Sequence, residues 1–303
     1  MSYCLTLVAS DSDLETDIID KAKDFAKSYI SSNSAGISEA DIIWLKPGRA
    51  FDIYITQKPD KSQLNPFREA MGKHKIDVFL SRQETRRKKL LIADMDSTIL
   101  DGESLDIMAA LAGVEDKVAP ITEKAMAGEI DFQQALKERV ALLSGQKEEI
   151  ISQAMGQISL NPGARKLIQT LANQSVSSVL VSGGFSHFSQ WVGAQCGFDH
   201  IHCNHLEIVN GRMTGQVCEP VVDSKSKKDL LIHYTRLYEL EYCDVMAIGD
   251  GANDIPMLEI AGEGLGYKAR HKVRRDLVNN IVYGDLTAAL YIQGYSSHDI
   301  IDK

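Results

Sequence analysis

The chain has 303 residues and a formal net charge of −9, with 44% hydrophobic and 25% charged residues. That balance excludes a fibrous or wholly disordered chain and suits one large or two ordinary globular domains. No apolar run reaches the roughly 20 residues of a membrane helix, and the negative charge argues against nucleic acid as a partner.

The N-terminal stretch MSYCLTLVASDSD lacks a basic segment and a long apolar one, so no signal peptide is expected. Cys4, Cys196, Cys203, Cys218 and Cys243 form no CxxC pair and are odd in number. Free thiols in a reducing cytoplasm fit this better than a disulfide framework.

Residues 1–81 read as β-α-β-β-α-β: strands at 3–9, 42–45, 50–55 and 76–80, helices at 13–30 and 62–71. This order predicts a small ferredoxin-like α+β sandwich. The run QETRRKK at 83–89 reads as a polar, charged connector and a domain boundary. Residues 82–303 then form a second domain. It opens with a short strand at 90–93, and a helical cap follows at about 101–158, with helices at 103–111, 116–127, 132–143 and 148–155. Gly113, Gly128 and Gly145 are the expected stops, and Asp131 the N-cap of the third helix. Asn161-Pro162 is expected to open a helix at 163–172. A strand at 178–181, a helix at 185–196, a hairpin turning at Asn210-Gly211, a helix at 225–237, a strand at 244–248 and a helix at 255–260 complete the pattern. Strands alternating with helices predict a doubly wound parallel sheet.

Ligands in such sheets sit at the carboxyl ends of the strands. Three predicted strands end in polar clusters: Asp94-Met95-Asp96-Ser97-Thr98, Ser182-Gly183-Gly184 and Gly249-Asp250-Gly251-Ala252-Asn253-Asp254. Residues two apart in a strand share a side, so Asp94 and Asp96 are expected to face one ligand while Met95 packs inward. With Asp250 they make an oxygen cage suited to Mg²⁺. Ser182 and the amides of Gly183 and Gly184, expected at a helix start, suit an anion. A lysine from Lys225-Ser226-Lys227-Lys228 would neutralise phosphate charge. Together these make phosphoryl transfer the natural chemistry. Taken singly, Asn253 or Asp254 reads equally as a cap for the next helix, and any one lysine as a solvated face. Met126 and Phe132 read as cap core ahead of the alternative that they line the cap pocket. Cys196, His200, His202, Cys203 and His205 lack the spacing of a zinc site.

DMDST, SGG, a helical lysine and GDGAND resemble the four motifs of the haloacid dehalogenase superfamily of phosphatases. GES at 102–104, ITEKAMAGEIDFQQALKERVALL at 121–143, VSGGF at 181–185, MTG at 213–215 and AIGDGANDIPML at 247–258 are similar to segments of its phosphoserine phosphatases. The resemblance spans residues 88–295. It implies that Asp94 is the nucleophile and Asp96 the general acid and then base. It implies that Asp94, the backbone carbonyl of Asp96 and Asp250 hold Mg²⁺, and that Ser182, Gly183, Lys227 and Asn253 bind the phosphoryl group. Glu103 would take a substrate ammonium and Arg139 its carboxylate. Lys227 is singled out by the family's interval to GDGAND, although KSKKDLL lacks the usual small residue after that lysine.

The implied activity is Mg²⁺-dependent hydrolysis of O-phospho-L-serine through an aspartyl phosphate, the last step of serine biosynthesis. The implied partner is a small-molecule substrate, with no nucleic acid and no membrane, in the cytoplasm. Oligomeric state stays open, a homodimer included. Phosphoryl transfer to another amino-acid alcohol and a regulatory amino-acid-binding protein are the rival readings. The second arises because residues 1–81 resemble an ACT-like module. Contacts between that module and the rest are expected to be modest.

Overall fold

The computed structural model describes residues 2–30, 42–127 and 129–302, without the side chains of Met126 and Ala127. The expected stop at Gly128 and the expected packing of Met126 lie outside the described residues.

Strand β1 (Tyr3–Ala9), helix α1 (Thr16–Lys27), strands β2 (Ile42–Lys46) and β3 (Ala50–Ile55), helix α2 (Lys61–Gly72) and strand β4 (Ile76–Arg82) follow one another in the expected order. The strands form an antiparallel sheet in the order β2-β3-β1-β4. The apolar stripe Ile18, Ala22 and Ala26 of α1 and Leu64 and Met71 of α2 cover Leu5, Leu7, Phe51 and Ile53 of that sheet. Asp60 starts α2 by accepting the Gln63 N–H, and the Gln63 side chain accepts the Asp60 N–H in return.

The rest of the chain is built on six parallel strands in the order β12-β11-β10-β5-β6-β7. They are β5 (Leu90–Ala93), β6 (Ser177–Phe185), β7 (His200–Asn204), β10 (Val245–Gly249), β11 (Glu263–Tyr267) and β12 (Asn279–Ile281). β5 is a continuous buried run, as a central parallel strand covered on both faces must be. Between β5 and β6 lie α3 (Ser104–Leu111), α4 (Glu115–Ala127), α5 (Phe132–Ala141), α6 (Glu149–Met155) and α7 (Ala164–Asn173). Helices α3 to α6 form the inserted cap. Its two stems are tied together where Asp101 N–H donates to Ser159 O and Asn161 N–H to Ile99 O. Asp131 caps α5 as expected, accepting the Gln134 N–H. The remaining elements are α8 (Ser186–Cys196), the hairpin β8 (Leu206–Val209) and β9 (Arg212–Val217), α9 (Ser224–Leu237), α10 (Ile255–Ile260), α11 (His271–Asp276) and α12 (Ala288–Tyr291). Asn210 (φ +51°) and Gly211 (φ +70°) are both left-handed, as an Asn-Gly hairpin turn requires. No helix among the described residues is long and apolar enough to cross a membrane.

Four local expectations are corrected. Asn161 does not cap α7. Its amide instead donates to the carbonyls of Thr98 and Leu100 at the cap stem, and Gly163, at φ +83°, begins the helix. The strand carrying Ser182 does not stop at Val181. It runs to Phe185 through a register shift against β7, so Gly183 and Gly184 are irregular strand rather than helix start. The polar run 83–89 is solvated only in part: Gln83, Glu84, Arg87 and Lys89 are exposed, but Arg86 and Lys88 are buried.

The fourth correction follows from the third. The contact between the two sheets, expected to be modest, contains a buried polar network. Arg86 is 8% exposed and Asp52 1%, and Arg86 Nη1 lies 2.7 Å from Asp52 Oδ2. Thr6 Oγ1 donates to Asp52 at 2.6 Å, while the guanidinium also donates to the carbonyls of Tyr291 and Ile292. At the sheet edges, the Asn279 amide accepts from Leu80 N–H and donates to Leu80 O, each at 2.9 Å, as a neighbouring strand would. The Asp77 carboxylate accepts backbone N–H groups from Val282, Tyr283 and Gly284. Arg68 joins β4 to this edge by donating to Val78 O and Asn279 Oδ1.

A buried ion pair broken on one side leaves an uncompensated charge. Asp52→Ala is therefore expected to cost about 3–5 kcal/mol of stability. Denaturant unfolding checks this, and a cost near zero would mean that Arg86 does not depend on Asp52. A chain beginning at Arg82 loses the same partner and is expected to lose cooperative unfolding as well.

Candidate active site

β5, β6 and β10 lie side by side at the middle of the parallel sheet, and their carboxyl ends open onto one cleft. β5 stops at Ala93, and the chain then winds through a wide turn at Met95–Ile99. Ser97, at φ +55°, donates its N–H to Gly102 O, and Leu100 N–H closes the turn on Met95 O. Asp94 and Asp96 thus converge through a wound turn, not through strand alternation, while Met95 is fully buried as expected.

From α9 comes Lys227, 1% exposed. Its Nζ lies 2.6 Å from Asp94 Oδ1 and 2.6 Å from Asp254 Oδ1. Lys225 is exposed and Lys228 only half-buried, so position on the helix separates the three lysines. Asp223 caps α9 by accepting the Ser226 N–H, which fixes where the helix begins.

The turn after β10 supplies Asp250, Asn253 and Asp254. Oxygens of Asp94, Asp250 and Asp254 lie within 4.8 Å of one another, the one such acidic group among the described residues. Thr98 Oγ1 donates to Asp250 at 3.5 Å, and Arg270 Nε stands 4.0 Å from the other Asp250 oxygen. Asn253 is half-buried on the same turn. For Asp254 the sequence leaves two readings open, helix cap and site residue. Its side chain caps nothing on α10; it takes Lys227 on one oxygen and the Gly251 N–H on the other. The only signal for this was the second acid of GDGAND, four residues after Asp250.

On the β6 side, Ser182 Oγ accepts the Gly184 N–H at 2.8 Å and lies 3.4 Å from Asp96 Oδ2. Gly183 O accepts from Asn204 Nδ2 at 2.8 Å, which pins the irregular strand end. Nothing in the sequence marked Asn204. A Cβ at Gly184 would fall 2.4 Å from Asp96 Oδ2, so only glycine leaves that carboxylate its place.

The cap closes over this cleft. Glu103 accepts a hydrogen bond from Ser97 Oγ at 2.8 Å. Asp96 Oδ1 accepts the Ser104 N–H at the start of α3. Phe132 rests against Gly183, where a Cβ would meet its ring at 2.6 Å. Arg139 is half-buried on α5 and donates to its own helix through Ala135 O, within the field of Asp106, Glu103 and Asp96. Gln133 Nε2 reaches Asp223 Oδ2 at 2.7 Å, so the cap touches the cap residue of the lysine helix. Asp94, Asp96, Glu103, Ser182, Gly183, Lys227 and Asp250 border this cleft, with Asn253 on the same turn as Asp250 and Arg139 on the cap. His200 and His202 instead bond Tyr238 and Tyr234 hydroxyls at 2.7 and 2.8 Å, away from the cleft.

The electrostatics are those of crowded acids. Burial, then the charge of Glu103, pushes Asp96 up to about 6. Burial, Asp254 and Glu103 push Asp250 up to about 7. Burial and Asp254 also raise Asp94, against the pull of Lys227. Burial works to discharge Lys227, but Asp254 and Asp94 overcome it and hold the ammonium protonated. One lysine does not balance this many carboxylates. The hard oxygen donors of Asp94 and Asp250 fit a divalent cation as the missing charge.

The family model for haloacid dehalogenase-like hydrolases matches residues 91–259. A phosphoserine phosphatase of Streptomyces coelicolor is 38% identical over 225 residues, 74% of this chain and 55% of its own length. A phosphoserine phosphatase of Saccharomyces cerevisiae is 30% identical over 309 residues, 99% of each chain. The unliganded crystal structure of a probable phosphoserine phosphatase from Vibrio cholerae superposes with a TM-score of 0.76 at 28% identity, covering 98% of this chain and 88% of that one. The chain spans little more than half the length of several curated relatives that it matches.

Carboxylates raised on folding destabilise the folded state as pH rises from their unfolded value through their folded one. For Asp96 and Asp250 that window runs from about 4 up to about 7. Without metal, the melting temperature is therefore expected to fall over this range. The gain on adding a divalent cation is expected to grow, because the cation replaces protons that the cluster has lost. Melting curves with and without the cation across the range check it; a cation gain independent of pH would contradict this charge balance.

Proposed function

The chain belongs to the haloacid dehalogenase-like hydrolases, and on that premise we propose that it is a Mg²⁺-dependent phosphoserine phosphatase. The observation that carries this reading is the buried Lys227 held between Asp94 and Asp254, with Asp96 and Asp250 beside it and a cap bearing Glu103 and Arg139 above. The relatives named phosphoserine phosphatase support the substrate.

Asp94 and Asp250, with the carbonyl of Asp96, would hold Mg²⁺, which when bound neutralises phosphate charge and orients the transferring group. Lys227 and Asp254 would remain its neighbours rather than its ligands, since the ammonium takes Oδ1 of Asp254 and the Gly251 N–H takes Oδ2, whereas Asp94 keeps its second oxygen. Asp94 attacks phosphorus and becomes the aspartyl phosphate. Asp96 donates a proton to the departing serine oxygen, then takes one from the water that hydrolyses the acyl phosphate. Its raised value, about 6, keeps a proton available near neutral pH where an ordinary aspartate would have none. Ser182, the Gly183 amide, Lys227 and Asn253 bind the phosphoryl oxygens. Glu103 receives the substrate ammonium, and Arg139 offers a planar fork to the carboxylate. The place of the reaction is the last step of serine biosynthesis, in the cytoplasm.

Asp94→Asn keeps the shape and removes the nucleophile, so turnover is expected to fall about 10⁴-fold or more. Phosphate release from phosphoserine measures it, and a loss of only a few-fold would end the aspartyl-phosphate reading. Asp96→Asn is expected to hurt phosphoserine more than para-nitrophenyl phosphate, whose leaving group needs no proton. Equal penalties would remove the acid role.

Selectivity is expected to reside on the cap. Arg139→Ala should cost roughly 2–5 kcal/mol in kcat/KM for phosphoserine, the range for truncating one member of a buried charge pair. A phosphomonoester without a carboxylate should be barely affected. Uniform slowing of every substrate would place Arg139 in the general machinery instead. The same assays run with homoserine present would reveal transfer in place of hydrolysis as a phosphorylated second product.

A further inference from the structure

A second cavity lies outside the catalytic cleft, where the N-terminal sheet meets the parallel one. It has a volume of about 290 Å³ and is walled by the end of β1, the β2–β3 turn, the end of β11 and α12. That volume sits near the lower end of the range for small-molecule sites.

Three cationic side chains line it: Lys46 and Arg49 from the β2–β3 hairpin, Arg49 Nη2 also donating to Ser10 O, and Lys268 from the end of β11. Two carboxylates line it as well, Asp11 and Asp285, and both are already engaged. Asp11 pairs with Lys75 at 2.7 Å. Asp285 accepts the Thr287 N–H at 2.8 Å and also the Thr287 hydroxyl. The wall therefore carries an excess of positive charge on a chain whose net charge is −9.

Tyr267 forms part of the same wall. It is 0% exposed, and its hydroxyl has no hydrogen-bond partner. Buried hydroxyls in folded proteins are ordinarily paired, so a ligand that entered the cavity and reached this one would supply its missing partner. The next residue, Lys268, holds a left-handed backbone (φ +43°) that a lysine rarely adopts, and its N–H is fastened to Ile281 O at 2.8 Å. The Lys268 ammonium lies 5.2 Å from the Tyr267 ring centroid.

We propose that this cavity binds a small organic polyanion of the di- or tricarboxylate class, gripped by Lys46, Arg49 and Lys268 and hydrogen-bonded by Tyr267. With Asp11 paired to Lys75 and Asp285 still negative, the wall keeps an excess of two positive charges, which a single-charge anion would not match, and a cation or an apolar molecule would meet the wrong wall. Because the cations come from both sheets, the ligand would bridge the interface and stabilise the docked arrangement.

Citrate is the probe, titrated by calorimetry into the full-length, cation-free protein, with inorganic phosphate as the parallel arm. Citrate is expected to bind with one-to-one stoichiometry and to raise the melting temperature more than phosphate does at equal ionic strength. The double variant Lys46→Ala, Lys268→Ala is expected to bind citrate at least about tenfold more weakly, with KM for phosphoserine unchanged. Tyr267→Phe removes an unpartnered hydroxyl, so it is expected to leave the ligand-free melting temperature unchanged or higher while reducing the citrate-induced rise. Absence of citrate binding, binding undiminished in the double variant, an undiminished rise in Tyr267→Phe, or a phosphate effect equal to that of citrate would each overturn the proposal.

Discussion

Lys227 Nζ stands 2.6 Å from both Asp94 and Asp254 in a place where water is almost absent. A buried ammonium persists only if opposite charges surround it, and buried carboxylates persist only if something positive faces them. The two conditions are met together here and incompletely, since Asp250 and Asp96 add acid that the lysine does not reach. The result is a site short of positive charge, with two carboxylates raised to about 6 and about 7. A phosphate ester alone would make that worse; a divalent cation with it restores the balance. Burial, and then the charge of Glu103, lifts Asp96 toward the range in which it can exchange a proton near neutral pH.

The geometry that keeps the lysine in place also couples it to the cap. Asp223 begins α9, and its second oxygen takes Gln133 from α5. Phe132, the neighbouring cap residue, sits on Gly183. The residues that would recognise a phosphate and those that would recognise the remainder of a substrate therefore share a border. Glu103 and Arg139 stand on the cap side of it, near enough to Asp96 for their charges to be felt there. A cleft of this form separates chemistry common to phosphomonoesters from contacts peculiar to one of them.

The N-terminal sheet is joined to this machinery by polar groups that stand in for missing strands. Asn279 serves both backbone groups of Leu80, and Asp77 collects three amides beyond β12. Two exposed sheet edges are thereby satisfied without merging into one sheet. Arg86 and Asp52 complete the junction from within. The apolar core crosses it too: Val8, Leu45, Ala50 and Phe79 pack in the same cluster as residues of the parallel sheet. Such a junction ties the folding of the two parts together and leaves between them a cavity that neither would form alone.

Much was legible in the amino-acid sequence, for local reasons. Alternation and apolar runs marked the strands, Asn210-Gly211 marked its hairpin, and Asp131 marked the start of α5. The polar clusters at strand ends marked the cleft, because in a parallel sheet those ends can only lie on one edge. What local pattern could not carry was set by contacts between distant residues. The charged run at 83–89 has the composition of a linker, yet Arg86 is buried because Asp52, in another strand, offers it a carboxylate. Asp254 could have been a helix cap until Lys227, 27 residues earlier, took its oxygen. Asn161 left its expected place at the head of α7 because the carbonyls of Thr98 and Leu100 at the cap stem needed a donor. The turn that brings Asp94 and Asp96 together depends on Ser97 adopting a left-handed backbone (φ +55°) that no propensity favours and that the Gly102 carbonyl stabilises. Sequence pattern decides what each segment prefers in isolation; which partner a buried charge or polar group finds is decided only when the sheets are assembled, because burial makes the absence of a partner too costly.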